Sequence, residues 1–248
     1  MISVIIPHHL NENQHLLDEA IKSALEQDCD KEILVVADTK DCPVVPDTVK
    51  LHWFTDKRVD HFSRKINAGV TLAHPDSRGY MILSDDTRII GNKALNLLSW
   101  YAIENNMIMN AVSNCDDINF TYQRMISDHG PDIVAMSTHR LYFYATMIPK
   151  SVWDKVGKLD ERFESGWEDE DYCLRASIAG IRCGILLYSY IYHHKGQTID
   201  KLPKSEIDRN KQRFLEKWGV DFIPPLTMPG FGAVFYEGLK ALRQRGMF

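Results

Sequence analysis

Short apolar runs alternate with amphipathic stretches through the first half of the chain, as expected where strands and helices follow one another. Ser3-Val4-Ile5-Ile6 reads as a buried strand stopped by Pro7, and Glu32-Ile33-Leu34-Val35-Val36 reads as a second. Between them Leu16, Leu17, Ala20, Ile21, Ala24 and Leu25 share one helical face, completing a β-α-β unit. Further strands are predicted at 49–54 and 80–83 with a helix at 63–73 between them. That order predicts an α/β fold with a mostly parallel central sheet and helices packed on its faces.

Beyond residue 90 the pattern predicts a helix at 93–104 and a strand at 107–112, followed by a polar stretch from 113 to 139 with no clear period. A connection of that length is unusual in a compact domain and is commonly functional. Regular patterning resumes at 141–148, then gives a helix at 151–156, a helix opened by an acidic segment and reaching Ala179, a strand at 183–188 and a helix at 204–218. Pro224, Pro225, Pro229 and Gly230 mark an irregular connection before an amphipathic segment at 231–242. Neither internal repeats nor low-complexity tracts interrupt this order.

Composition adds a class and excludes others. The chain of 248 residues is 44% hydrophobic and 25% charged, ordinary for a globular enzyme and ample for a large core. No apolar stretch approaches the about 20 residues of a membrane-spanning helix. Met1-Ile2-Ser3-Val4 runs straight into a strand pattern without a positive n-region, so a cytoplasmic location is expected. The five cysteines, Cys29, Cys42, Cys115, Cys173 and Cys183, are odd in number and lack C-x-x-C spacing, and read as free thiols. Charge is uneven: residues 195–248 hold 10 Lys/Arg and 6 Asp/Glu, a net +4, which leaves -9 for the first 194 residues. The basic end, with its apolar Phe231, Val234, Phe235, Leu239 and Leu242, is either a packed closing helix or a peripheral contact for a membrane or a polyanion.

Carboxylates dominate the candidate chemistry. Asp38 follows the second strand, where the carboxyl edge of an open α/β sheet meets its ligand, although Asp is also favoured in turns. Asp85 and Asp86 close the run Tyr80-Met81-Ile82-Leu83, and two carboxylates at a strand end suit a hard divalent cation or simply cap the next turn. Trp167-Glu168-Asp169-Glu170-Asp171-Tyr172 puts four carboxylates in the first turn of a helix, where the macrodipole favours negative charge. Helical geometry sets Glu168 beside Asp171 and Asp169 beside Cys173, so the four cannot all face one site. His193-His194 follows the next strand and offers imidazole as a further ligand.

Ser3-Val4-Ile5-Ile6-Pro7, the strand leading to Asp38, Asn67-Ala68-Gly69, Leu83-Ser84-Asp85-Asp86, the acidic cluster and His193 together form an ordered set over about residues 2 to 220. Ile148-Pro149-Lys150, Val156-Gly157 and Leu159-Asp160-Glu161-Arg162-Phe163 precede the cluster. The set resembles the family 2 glycosyltransferases of GT-A fold. The resemblance implies a single α/β GT-A (Rossmann-like) domain at 1–200 with a C-terminal helical extension at 201–248. Within the domain, residues 1–112 would form the nucleotide-sugar-binding half and 113–200 the acceptor and catalytic half.

The implied activity is hexosyltransferase-like. An inverting enzyme would move a sugar from a nucleotide diphosphate donor, UDP-sugar first among them, to a hydroxyl on a glycan or lipid-linked glycan, with Mn²⁺ or Mg²⁺ as cofactor. Asp169 corresponds to the family's base, Asp86 and His193 to its metal ligands, and Asp38 to its nucleoside contact. Pro7, Arg64, Lys65, Asn67, Asp85 and Asp86 complete the donor site with Asp38, and Glu168, Trp167 and His194 are secondary candidates. Two positions depart from the pattern: Ser84 stands where the first acid of the D-x-D element is usual, and Ile66 where an Arg often precedes Asn-x-Gly. Asp85 and Arg64 or Lys65 would have to compensate. A modified nucleic acid as acceptor, and an inert sugar-nucleotide-binding subunit, are the alternatives.

Overall fold

Strand β1 (Ile2–His8) is buried at every position, as its near-continuous apolar run requires of a strand covered on both faces. It pairs in parallel with β2 (Lys31–Ala37) and β4 (Gly79–Leu83), and β2 pairs in parallel with β3 (Lys50–Trp53). The computed structural model describes residues 1–9, 11–55, 61–114, 135–138, 141–194 and 204–219. Contrary to the sequence reading, β1 continues through Pro7. Ile2 N–H and His8 C=O bond toward the β2 side, so alternation turns the missing N–H of Pro7 toward β4, beyond the last pair there, Ile5 with Ile82.

Helix α1 (Gln14–Leu25) buries Leu16, Leu17, Ala20, Ile21 and Ala24, the face its periodicity predicts. Helix α2 (Phe62–Leu72) lies close on β1 because Gly69 presents no Cβ, which would collide with the Ile5 side chain. After β4 the chain does not cross over. Thr87 N–H donates to Ser84 C=O at 3.0 Å, a tight turn that sends β5 (Thr87–Ile90) back the opposite way.

Helix α3 (Ala94–Asn105), β6 (Ile108–Ser113), β7 (Ala135–Thr138), β8 (Ala145–Pro149) and β9 (Cys183–His193) complete the sheet. Among the described residues its order is β3-β2-β1-β4-β8-β6-β9-β5, with β7 also on β9. The sheet is mixed, not mostly parallel: β8 runs antiparallel to β4 and β6, and β5 and β7 run antiparallel to β9. Apolar runs carry no direction, and only connection lengths do. The three residues from Ser84 to Asp86 are too few for the crossover that a parallel neighbour needs.

Helices α4 (Lys150–Val156), α5 (Glu168–Ile178) and α6 (Lys204–Trp218) agree with the predicted segments within a few residues. The four-residue strand β7 falls in the stretch read as having no period, β5 was not predicted, and β9 runs five residues beyond its predicted end. A large apolar core spans the sheet and α1 to α5. A second cluster, Phe163, Trp167, Leu174, Phe214 and Trp218, joins α6 to the start of α5. Cys29, Cys42, Cys173 and Cys183 are free thiols. Among the described residues no helix is long and apolar enough to cross a membrane. Cys115, residues 220–248 with the segment at 231–242, and most of 113–139 lie outside the described residues.

Candidate active site

The carboxyl ends of β1, β2, β4 and β9 share one edge of the sheet. β1, β2 and β4 are mutually parallel, and β9 is parallel to β6, which matches β4 in direction through the intervening antiparallel β8. His8, Asp38, the Ser84–Thr87 turn and His193 therefore come to the same lip.

Asp38 follows β2 with its side chain 2% exposed. Lys65 Nζ donates to its Oδ1 at 2.9 Å from α2, His9 Nδ1 lies 2.9 Å from the same oxygen, and His61 N–H donates to Oδ2 at 3.2 Å. Burial works to raise this carboxyl, but the His9 hydrogen bond and the Lys65 charge outweigh it and hold the group down to about 2. A carboxyl depressed in the folded state adds stability above its unfolded pKa, and that stability is lost as pH falls through the folded value. Here the window runs from about pH 4 down to about pH 2, and the shift is worth about 2 kcal/mol. Asp38→Asn should remove that part of the acid sensitivity. Urea unfolding at pH 6 and pH 2.5 measures it, and equal losses in native protein and variant would contradict the assignment.

Asp85 and Asp86 occupy the two central positions of the turn after β4, and their side chains diverge. Asp85 Oδ2 lies 2.6 Å from Nδ1 of His8, which is fully buried on β1. Burial pushes the Asp85 carboxyl above the ordinary carboxylate range, and the His8 hydrogen bond works against that rise. Asp86 Oδ1 instead lies 3.2 Å from His193 Nε2 at the end of β9, while its carbonyl accepts the His194 N–H at 2.8 Å. The His193 ring stacks on Tyr144 with centroids 5.1 Å apart, and Tyr144 C=O in turn accepts the Ser84 N–H at 2.9 Å. Turn, histidine and tyrosine thus brace one another around Asp86.

The four acids of α5 separate. Asp171 is fully buried and binds Arg175 Nε at 2.8 Å, Lys217 Nζ at 2.6 Å and Trp218 Nε1 at 2.9 Å, so it is committed to packing. Glu170 is half-buried. Glu168 and Asp169 are 7% and 8% exposed, and Asp169 Oδ1 accepts the Glu170 N–H at 2.9 Å, leaving Oδ2 without a hydrogen bond among the described residues. Tyr172, one turn on, lies between Phe143 and Trp153 with centroids 5.7 Å away from each. Phe143 precedes Tyr144, so the first turns of α5 pack on the segment that braces His193.

Other predicted residues have structural engagements. Asn67 uses its carboxamide on Leu159 and Glu161, donating to Leu159 C=O and Glu161 Oε1 at 2.9 Å and accepting Leu159 N–H at 3.0 Å. Arg64 lies over the Phe54 ring at 3.8 Å, Pro7 is buried in β1, and Trp167 packs on Phe214 with centroids 5.1 Å apart. His194 Nε2 lies 3.5 Å from Glu19 Oε2. His8, His9 and Tyr144 were missed. The signal for the two histidines was present: His8 ends β1 and His9 follows it as Asp38 follows β2, but they were hidden by ending that strand at Pro7.

The fold is similar to that of solved glycosyltransferases of GT-A-like fold. The crystal structure of S. aureus TarS matches it with a TM-score of 0.62 at 12% identity, over 90% of this chain and 40% of that one. GalNAc-T7 with UDP, GalNAc and Mn²⁺ matches with a TM-score of 0.69 at 12% identity, over 88% and 48%. TarS 1–349 in complex with UDP-GlcNAc matches with a TM-score of 0.60 at 15% identity, over 90% and 68%. The chain thus spans less than half the length of the first two. No family model and no curated protein sequence matches it.

Proposed function

We propose that this protein is a metal-dependent, inverting glycosyltransferase that takes its sugar from a UDP-sugar and passes it to a hydroxyl of a glycan. The observation that carries the reading is the Asp86 Oδ1 to His193 Nε2 approach of 3.2 Å at the carboxyl edge of the sheet, beside the Asp38–Lys65 pair. Among the described residues no three His, Cys, Asp or Glu side chains gather as a metal cage. One carboxylate and one imidazole nevertheless fit a cation such as Mn²⁺ that completes its shell with phosphate oxygens, a common arrangement in nucleotide enzymes. The fold neighbours crystallised with UDP, GalNAc and Mn²⁺ and with UDP-GlcNAc support the donor class.

When bound, the cation supplies positive charge against the departing diphosphate. Asp38, whose Oδ1 is taken by Lys65 and His9, offers the remaining acceptor position on Oδ2 to the nucleoside. Asp169 accepts the proton of the attacking hydroxyl at Oδ2, and attack opposite the leaving group inverts the anomeric carbon. Buried donors and acceptors held this rigidly need little reorganisation as charge develops.

A thermal-shift series tests donor recognition, because a ligand that binds only the folded state raises its apparent stability. UDP-GlcNAc or UDP-GalNAc with Mn²⁺ should raise the melting temperature, and EDTA should cancel the gain. No shift with any UDP-, GDP- or dTDP-sugar would refute the reading.

A further inference from the structure

Immediately before Glu168 and Asp169 the backbone turns twice through the left-handed region, at Gly166 with φ 86° and at Trp167 with φ 75°. Glycine accepts that conformation freely. A tryptophan there is a genuine outlier, and such strain persists only where the surroundings over-determine it.

Helix α6 is what over-determines it. Ahead of the turn, Asn210 Nδ2 donates to Ser165 C=O at 2.8 Å, Arg213 donates to Arg162 C=O, and Lys217 Nζ reaches Asp160 Oδ2 at 2.7 Å. Behind it, Lys217 Nζ and Trp218 Nε1 both reach Asp171 Oδ1, at 2.6 and 2.9 Å. At the turn itself, Trp167 is enclosed with Phe163, Leu174, Phe214 and Trp218. Lys217 therefore bridges carboxylates on either side of the strained residue, eleven positions apart in the chain. None of these α6 side chains belongs to the donor site at Asp38, Asp86 and His193.

We propose that α6 is a positioning clamp for the catalytic carboxylate: Lys217 and Trp218, acting through Asp171, hold the Gly166–Trp167 turn in its strained form and so fix where Asp169 meets the acceptor. This rests on Asp169 as the base, but the clamp itself does not. Arg162 holds Asp160 at 2.6 Å and Arg175 holds Asp171 at 2.8 Å, but Lys217 is the cation that touches both, so its removal cuts the tie across the turn. Trp218 supplies a directional N–H to a fully buried oxygen. The turn can then relax toward ordinary backbone angles, carrying Asp169 with it. A displacement of about 1 Å at a reacting group can cost on the order of a hundredfold in rate.

The test compares Lys217→Met and Trp218→Phe with Lys217→Arg, which keeps a cation able to span both carboxylates. Amide hydrogen exchange at 166–171 should accelerate at least about tenfold in the first two and stay near native in the third, while β1, β2 and β4 remain protected. With a UDP-sugar and Mn²⁺, the first two should lose about ten- to a hundredfold in kcat with donor KM within about twofold, and Lys217→Arg should recover most of the rate. Native exchange at 166–171 in Lys217→Met and Trp218→Phe would overturn the clamp, as would a donor KM that rises in step with the loss of kcat. Native protein that turns over no sugar nucleotide would instead refute the transferase reading, and the exchange measurement would still decide on the clamp.

Discussion

Asp169→Asn should reduce sugar transfer by about a thousandfold or more while leaving donor affinity within about twofold of native. Removing a general base costs about 10² to 10⁴ in rate, and the amide keeps nearly the same volume and can still accept the Glu170 N–H. The carboxylate belongs to the first turn of α5, with one oxygen used by the helix and the other open to a proton. Initial rates with a UDP-sugar, together with calorimetric donor binding, separate the two effects. Activity surviving within tenfold would remove Asp169 from the mechanism. A parallel loss of donor affinity would mean that the substitution had disturbed the sheet edge.

Asp86→Ala acts on the other half of the reaction. It removes one of the two side chains proposed to hold the cation and leaves His193 facing a cavity, so Mn²⁺-dependent binding of UDP should weaken by about a hundredfold. Binding without metal should change little, since Asp38 and Lys65 are on other elements. Titration calorimetry with Mn²⁺ and with EDTA reads the difference. Unchanged affinity in Mn²⁺ would contradict the role assigned to Asp86.

How much of this was legible in the chain depended on whether the signal was local. Buried strands and amphipathic helices are local patterns, and β1, β2, β4, α1 and α6 were readable from them. Strand direction is not, and the mixed sheet emerged only from pairing. The resemblance already set Asp86 apart from Asp85, but the partners that separate them are not local: a two-residue turn splits them between His8 and His193, which are 77 and 107 positions away in the chain. Among the acids of α5, helical spacing showed that the four must diverge. The resemblance pointed to Asp169, and what occupies Asp171 instead, Lys217 and Trp218, lies more than forty residues on. The strain at Trp167 leaves no trace in composition or period.

The measurement that bears most directly on the central claim is release of UDP from UDP-GlcNAc and UDP-GalNAc by the native protein, followed with and without Mn²⁺ and beside Asp86→Ala. The account predicts slow turnover that needs the metal, stops with EDTA and is lost in the variant. UDP release that is indifferent to both metal and Asp86, or its complete absence with every sugar nucleotide tried, would contradict it.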